Sequence, residues 1–315
     1  MKKRNEYRNR IVTVFLYAAA ATLGAVLFGV YLIGRTQQLQ ESVDEALTYN
    51  LPDELGSASD EASLHAPPLA YLSRVAGDPK LLPGESGVRI PVLMYHWIRP
   101  ILPQYTARDR LYTVTPESFA SQMRSLVAAG YHTITPDDLR DAIRAGTTTG
   151  MVSKPVLLTF DDGMRGQYLY AFPILKKLGL KATFFLISNE RSRGGMSDAM
   201  VTDMAQNPLI TIAAHTRHHT FLTRLSAAAL DAEVRGSKDD LEALTGKPVD
   251  YFAYPFGSWN DSIRKQVESM GFDLAFGIRL GSLHAPSSAF QMRRIRVLQG
   301  EDVVALLDLF SASSK

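Results

Sequence analysis

From Ile90 onward the chain alternates between two kinds of pattern. Short apolar runs without a period, bounded by proline, glycine or polar clusters, predict strands buried on both faces. About eight such runs succeed one another: Ile90 to Tyr95, His132 to Ile134, Val156 to Phe160, Ala182 to Ile187, Ile210 to Ala214, Val249 to Tyr254, Leu274 to Gly277 and Ile295 to Leu298. Stretches of helical spacing separate them. Thr115-Pro116 caps the first, whose Phe119, Met123, Leu126 and Val127 form one apolar face up to Gly130. Thr135-Pro136-Asp137-Asp138 opens a second, ending near Gly146. Further helices are predicted over Tyr168 to Leu178, Ser197 to Ala205, Ser226 to Leu244, Asn260 to Met270 and Asp302 to Phe310. This β–α alternation predicts parallel strands joined by right-handed crossovers. It implies an α/β fold, a distorted or incomplete (β/α) barrel of mainly parallel strands.

The pattern upstream is different. Lys2, Lys3, Arg4, Arg8 and Arg10 precede a run from Ile11 to Ile33 that carries no charged residue. A membrane-spanning helix needs about 20 apolar residues, so this run predicts one transmembrane helix. The small residues Ala18 to Ala21 leave signal-peptide cleavage open, although a secretory signal has a shorter apolar core. The positive-inside rule keeps the N-terminus cytoplasmic and places the chain beyond Gly34 on the extracytoplasmic side, periplasmic or at the cell surface. Residues 37–87, polar and punctuated by Pro52, Pro67, Pro68, Pro79 and Pro83, read as a stalk or linker. The expected organisation is thus residues 1–36 as basic flank and anchor, 37–87 as linker and 88–315 as one domain. With 0 cysteines the chain has no disulfide, no thiolate nucleophile and no Cys-based metal site. A net charge of +2 makes no case for nucleic-acid binding.

Candidate chemistry collects where strands end. Val156 to Phe160 runs into Asp161-Asp162-Gly163. In α/β folds the loops after the strands build the sites. Two adjacent carboxylates repel unless their tasks differ, and a metal held by one leaves the other free as a base. As bare local chemistry, Asp-Asp-Gly is also an ordinary polar turn. The next strand end of this kind, after Ile210 to Ala214, delivers His215 and His219. Over one helical turn that spacing sets both imidazoles on one side, where one metal takes both. His218 between them points away. Two histidines, one aspartate and an open position make a hydrolytic zinc-type set. His96 also comes at a strand end, as ligand, general acid or structural residue. His65, His132 and His284 lack that context and read as structural. Trp97 and Trp259 are candidate sugar platforms, or core and rim.

Thr159-Phe160-Asp161-Asp162-Gly163, with His215-Thr216-Arg217-His218-His219 later in the chain, resembles the first two motifs of the polysaccharide deacetylase family, of carbohydrate esterase family 4 type. Lys181 to Phe185 is similar to the strand after the family's first helix. The likeness covers Ile90 to Leu298. It implies Asp161 as general base and Asp162, His215 and His219 as ligands of a divalent metal, zinc. It also implies the backbone N–H of Phe256 as oxyanion donor, in Ala253-Tyr254-Pro255-Phe256. Two departures stand out. Ala253 replaces the arginine that orients the base in the family pattern, and no helix of a closing motif comes after Leu283-His284. Both resemble the branch that de-N-acetylates biofilm poly-N-acetylglucosamine. There a strand like Pro91 to His96 supplies the catalytic histidine, here His96. An arginine near Phe290 to Ile295 takes the lost arginine's place: Arg294 first, with Arg293 and Arg296 beside it.

The resemblance therefore implies a metal-dependent hydrolase that removes N-acetyl groups from N-acetylglucosamine units of an exported or cell-surface polysaccharide. The implied partners are that polysaccharide, the membrane through the N-terminal helix, and exopolysaccharide synthesis or export machinery. Peptidoglycan, chitin-like oligomers and O-acetyl groups remain open as substrates. A catalytically inactive glycan-binding module is the reading from another class, and the complete Asp-Asp-His-His set argues against it.

Overall fold

A computed structural model describes residues 81–189 and 194–311. The expected anchor at 11–33 and nearly all of the expected linker lie outside the described residues. Among the described residues no helix is long and apolar enough to cross a membrane. The strands are β1 Val88–Arg89, β2 Val92–Tyr95, β3 Trp97–Ile98, β4 Thr113–Val114, β5 His132–Thr133, β6 Pro155–Phe160, β7 Ala182–Leu186, β8 Ile210–Ala214, β9 Tyr251–Ala253, β10 Leu274–Phe276, β11 Leu283–His284 and β12 Ile295–Arg296.

All eight apolar runs contribute strands to one sheet. Its order is β10-β9-β8-β7-β6-β2-β12, with β5 beside the start of β6, and every pairing is parallel. The sheet curls until its ends meet: Met292 N–H donates to Ala275 O at 2.8 Å and Gly277 N–H to Met292 O at 2.9 Å. The segment entering β12 thereby borders β10, and the architecture is a curled half-barrel of parallel strands.

Period-two alternation divides the side chains between two layers. Leu157, Phe185, Ala213, Ala253, Phe276 and Met292 share one apolar cluster on the concave side. The other face turns aromatic rings toward the helices: Phe160 stacks on Phe184 at 4.5 Å and on Tyr95 at 5.3 Å, with Phe119 edge-on. Both faces are covered, which is why these strands read as continuous apolar runs. On β6 the concave parity is Leu157, Thr159, Asp161. The strand therefore ends by directing a carboxylate into the barrel mouth.

The helices begin where the caps predict. Thr115 caps Pro116–Ala128, and Thr135 with Asp138 closes a capping box on Pro136–Ala145. The helix expected from Tyr168 is corrected in its first turn. Gln167–Ala171 is a π-turn, and regular α-helix starts at Phe172. Pro173 has no N–H for the ladder, and the backbone widens at this junction. Three elements carried no readable signal: a short helix at Ala107–Tyr112 and the two-residue ribbons β3–β4 and β1–β11. Each is too short for periodicity to show. The domain's edge reaches into the last residues of the expected linker, where Glu85 accepts from Ser287 N–H at 2.6 Å and Ser287 Oγ–H at 2.7 Å.

Candidate active site

The C-terminal ends of β2, β6, β8 and β9 and the segment before β12 converge on one cleft. Asp161 is 3% exposed. The next residue, Asp162, takes φ 76°. A left-handed step at a non-glycine residue is strained, and it turns the second carboxylate out of strand alternation so that both acids reach the cleft. Gly163 continues the turn at φ 72°.

The histidines are brought together differently from the helical turn the spacing suggested. Residues 215–220 form an irregular turn in which Thr216 (φ 65°) and His219 (φ 54°) are left-handed. Thr216 Oγ1 accepts from His219 N–H at 2.9 Å and holds the turn. His215 is buried, and its Nδ1–H donates to Ala253 O at 2.7 Å. That bond assigns the tautomer and leaves the Nε2 lone pair facing the cleft. Asp162 Oδ1 lies 3.6 Å from His215 Nε2 and 3.4 Å from His219 Nε2. Asp162, His215 and His219 are the one group among the described residues whose donor atoms suit a metal, all within 4.8 Å of one another. One carboxylate oxygen and two imidazole nitrogens fit a borderline ion such as zinc. Burial, with His215 beside it, lowers the His219 pKa to about 4 and keeps its imidazole neutral. His218 points away, to Glu233 Oε1 at 2.6 Å and Asn189 Nδ2 at 2.7 Å.

Asp161 is served by Arg294. Nη1 donates to Oδ1 at 2.6 Å and Nη2 to Oδ2 at 2.7 Å, a two-bond fork. Arg294 is 1% exposed and also donates to Gly277 O at 2.8 Å and Thr159 Oγ1 at 3.3 Å. Burial alone would raise the Asp161 pKa. The Arg294 charge, then His215 and the Arg294 hydrogen bonds, outweigh it and hold the carboxyl well below its usual range. Arg293 turns instead to Leu280 O, and Arg296 to Tyr112 Oη.

His96 stands across the cleft with its ring 5.6 Å from that of Tyr112. Burial lowers its pKa, against the pull of Asp161 and Asp162. Sequence reasoning missed Gln167. Its Nε2 donates to His96 O and Asp161 O, each at 2.6 Å, tying the ends of β2 and β6 together. Its only signal was its place in the turn after Asp161. Phe256 takes φ 58° and stacks on Phe221 at 4.0 Å, with its edge toward His219 at 4.4 Å. Trp97 lies under Arg99 at 3.9 Å and Trp259 beside Arg279 at 5.7 Å. His132 and His284 are bound to backbone carbonyls, outside the cleft residues named above.

A metal-type triad beside a separately held carboxylate, at strand C-termini, defines a hydrolase-class site. The polysaccharide deacetylase family model matches residues 149–275, which carry both acids and both histidines. The chain is similar to Bacillus subtilis YxkH, 28% identical over 217 residues, which is 69% of this chain and 74% of that protein. It is also similar to the poly-β-1,6-N-acetyl-D-glucosamine N-deacetylase of Staphylococcus epidermidis, 26% identical over 200 residues (59% of this chain, 68% of that one). Among solved structures, the Streptococcus pyogenes deacetylase PplD aligns with TM-score 0.66 and 29% identity over 71% of this chain and 99% of its own. IcaB from Ammonifex degensii aligns with TM-score 0.57 and 26% identity over 67% and 93%. The chain thus carries a polysaccharide deacetylase domain over residues 149–275, and its relatives are hydrolytic de-N-acetylases.

Proposed function

We propose that this chain hydrolyses N-acetyl groups on N-acetylglucosamine units of an exported or cell-surface polysaccharide. The observation that carries this reading is the separation of tasks between adjacent acids: Asp162 faces the two histidines while Arg294 forks onto Asp161. Asp162, His215 and His219 would hold a divalent ion, zinc by donor set. When bound, such an ion acidifies a water and polarises the acetyl carbonyl. Asp161 accepts the proton of the attacking water, and Arg294 keeps that carboxylate aimed and ionised. The Phe256 N–H donates to the carbonyl oxygen as it gains charge, a donor typically worth about 3 kcal/mol. His96 gives a proton to the departing amine nitrogen. Acetate and a free amino sugar result.

The choice of an N-acetylglucosamine polymer is supported by the Staphylococcus epidermidis relative, whose name states that substrate, and acyl chemistry by PplD, solved in complex with acetate. The charge-free run at 11–33 behind a basic flank supports a single-pass anchor with the domain extracytoplasmic. In cells, protease added from outside should then cut the domain and spare the N-terminus. The deciding experiment is acetate release from polymeric N-acetylglucosamine by protein of measured metal content. Asp161→Asn that stays folded and metal-loaded yet releases acetate at the wild-type rate overturns the base assignment.

A further inference from the structure

Beside the cleft, three loops carry three arginines that the mechanism does not use, Arg217, Arg224 and Arg279. The loop after β8 holds Phe221 and Arg224, that after β9 holds Phe256 and Trp259, and that after β10 holds Ile278 and Arg279. They lie against one another. Thr223 Oγ1 bonds Ser258 Oγ at 2.8 Å, and Gly257 packs so closely on Ile278 that a Cβ there would sit 2.4 Å from Cγ1. Arg224 lies 4.4 Å over the Phe221 ring and Arg279 5.7 Å from the Trp259 ring. Both arginines are exposed, as are Phe221 (38%) and Phe256 (41%).

The three loops carry no acid of their own, although Glu233 of the next helix bonds His218 and Asp261 begins the helix after the second loop. Residues 216–225, 254–260 and 277–282 contain no aspartate or glutamate. Arg217, the third arginine there, is spent on Asp240 through two bonds of 2.7 Å. Among the described residues no carboxylate is paired with Arg224 or Arg279. The aromatic contacts lead from the cleft outward, from His219 to Phe256, to Phe221, to Arg224. Aromatic faces suit the apolar face of a sugar ring. A solvent-exposed guanidinium beside such a ring presents donors to a carboxylate or phosphate oxygen.

We infer that this rim binds an anionic substituent of the glycan near the reacting acetamide, so that the enzyme prefers N-acetylated glycans bearing carboxylate or phosphate groups. The inference deepens the deacetylase reading and rests on it for where the reacting sugar lies. It gives Arg224 and Arg279 the role of selecting the polymer, with no part in the bond-breaking step. It also favours turnover, because the product gains a cationic amine that the same rim repels.

The test compares N-acetylglucosamine oligomers that are neutral, carboxylate-bearing or phosphate-bearing, with the full-length protein. Affinity is measured by calorimetry and acetate release by KM and kcat, each at low and high salt. Anionic oligomers should bind tighter at low salt and lose most of that advantage when salt shortens the Debye length to about 3 Å. Arg224→Gln with Arg279→Gln should weaken their binding about fivefold to tenfold, as expected for two solvent-exposed ion pairs. The loss should fall on KM, with kcat and the neutral oligomer unchanged. The paired lysine variants should restore part of the preference, which a purely structural role would not. The two anionic oligomers tell carboxylate from phosphate. Equal affinity for neutral and anionic oligomers, or an unchanged double variant, overturns the inference while leaving the deacetylase reading intact. Selective anionic binding without acetate release from any oligomer overturns the deacetylase reading and leaves the rim assignment standing.

Discussion

Arg294 closes a two-bond fork on Asp161 across 133 residues of sequence, with N–O distances of 2.6 and 2.7 Å and both side chains buried. In the proposed mechanism it stands in for the arginine whose place Ala253 takes, and it arrives from the opposite end of the sheet from β9. Because the barrel's ends meet at Met292, a residue two positions along the same face points back into the mouth beside β6.

Removing one partner of this pair should be far worse than removing both charges. Arg294→Met leaves a buried, uncompensated carboxylate and should cost about 3–5 kcal/mol in urea unfolding. Adding Asp161→Asn should recover much of that stability but none of the acetate release. A double-mutant cycle in which the two losses simply add would show that the fork is not a coupled unit.

The metal-type triad predicts a reversible loss of activity. Dialysis against a strong chelator should abolish acetate release, and zinc added back should restore it. His219→Ala should lower metal affinity at least about tenfold, read by metal content after gel filtration. Full metal loading of His219→Ala would remove His219 from the ligand set.

Gln167 joins the ends of two strands that carry opposite halves of the chemistry. Gln167→Leu leaves the carbonyls of His96 and Asp161 without this buried donor, at about 1–3 kcal/mol each. The expected result is a folded but less stable protein with lowered kcat and normal metal content. Unchanged kcat with lowered stability would make Gln167 a structural tie only.

His284 sets a pH dependence of stability away from the cleft. It is fully buried, donates from Nε2 to Ile90 O at 3.0 Å, and has its pKa lowered by burial to about 4. Because the folded pKa lies below the unfolded value of about 6.5, protonation favours the unfolded chain. Its stabilising share is complete above pH ~6.5 and fades as pH falls toward 4, about 3 kcal/mol in all. His284→Gln keeps a donor without that proton, so unfolding free energies from pH 7 to 4 should fall less steeply than in the wild type. Identical slopes would contradict the assignment.

Gly257 carries the loop that presents Phe256. It has φ 63°, and an added Cβ would meet Ile278 at 2.4 Å. Gly257→Ala should cost about 1–3 kcal/mol in strain and, with the Phe256 N–H as the proposed oxyanion donor, lower kcat by displacing it. Ile278→Ala in the same chain should relieve the contact but not the backbone strain, so thermal unfolding should recover only in part.

What the sequence determined by itself was local. Apolar runs marked most of the eight strands because both faces of this sheet are covered, the exceptions being β5 at His132–Thr133 and β12 at Ile295–Arg296. Thr-Pro caps and C-terminal glycines set the ends of several helices, and side chains a few residues apart, Asp161 with Asp162 and His215 with His219, were legible as chemistry. Tertiary structure decided which strand ends meet. The Arg294 fork, the Gln167 tie and the Phe221–Phe256 stack join residues far apart in the chain, and no period along one strand encodes them. It also decided the backbone. Left-handed steps at Asp162, Thr216, His219 and Phe256 run against local preference and persist because the surrounding contacts hold them.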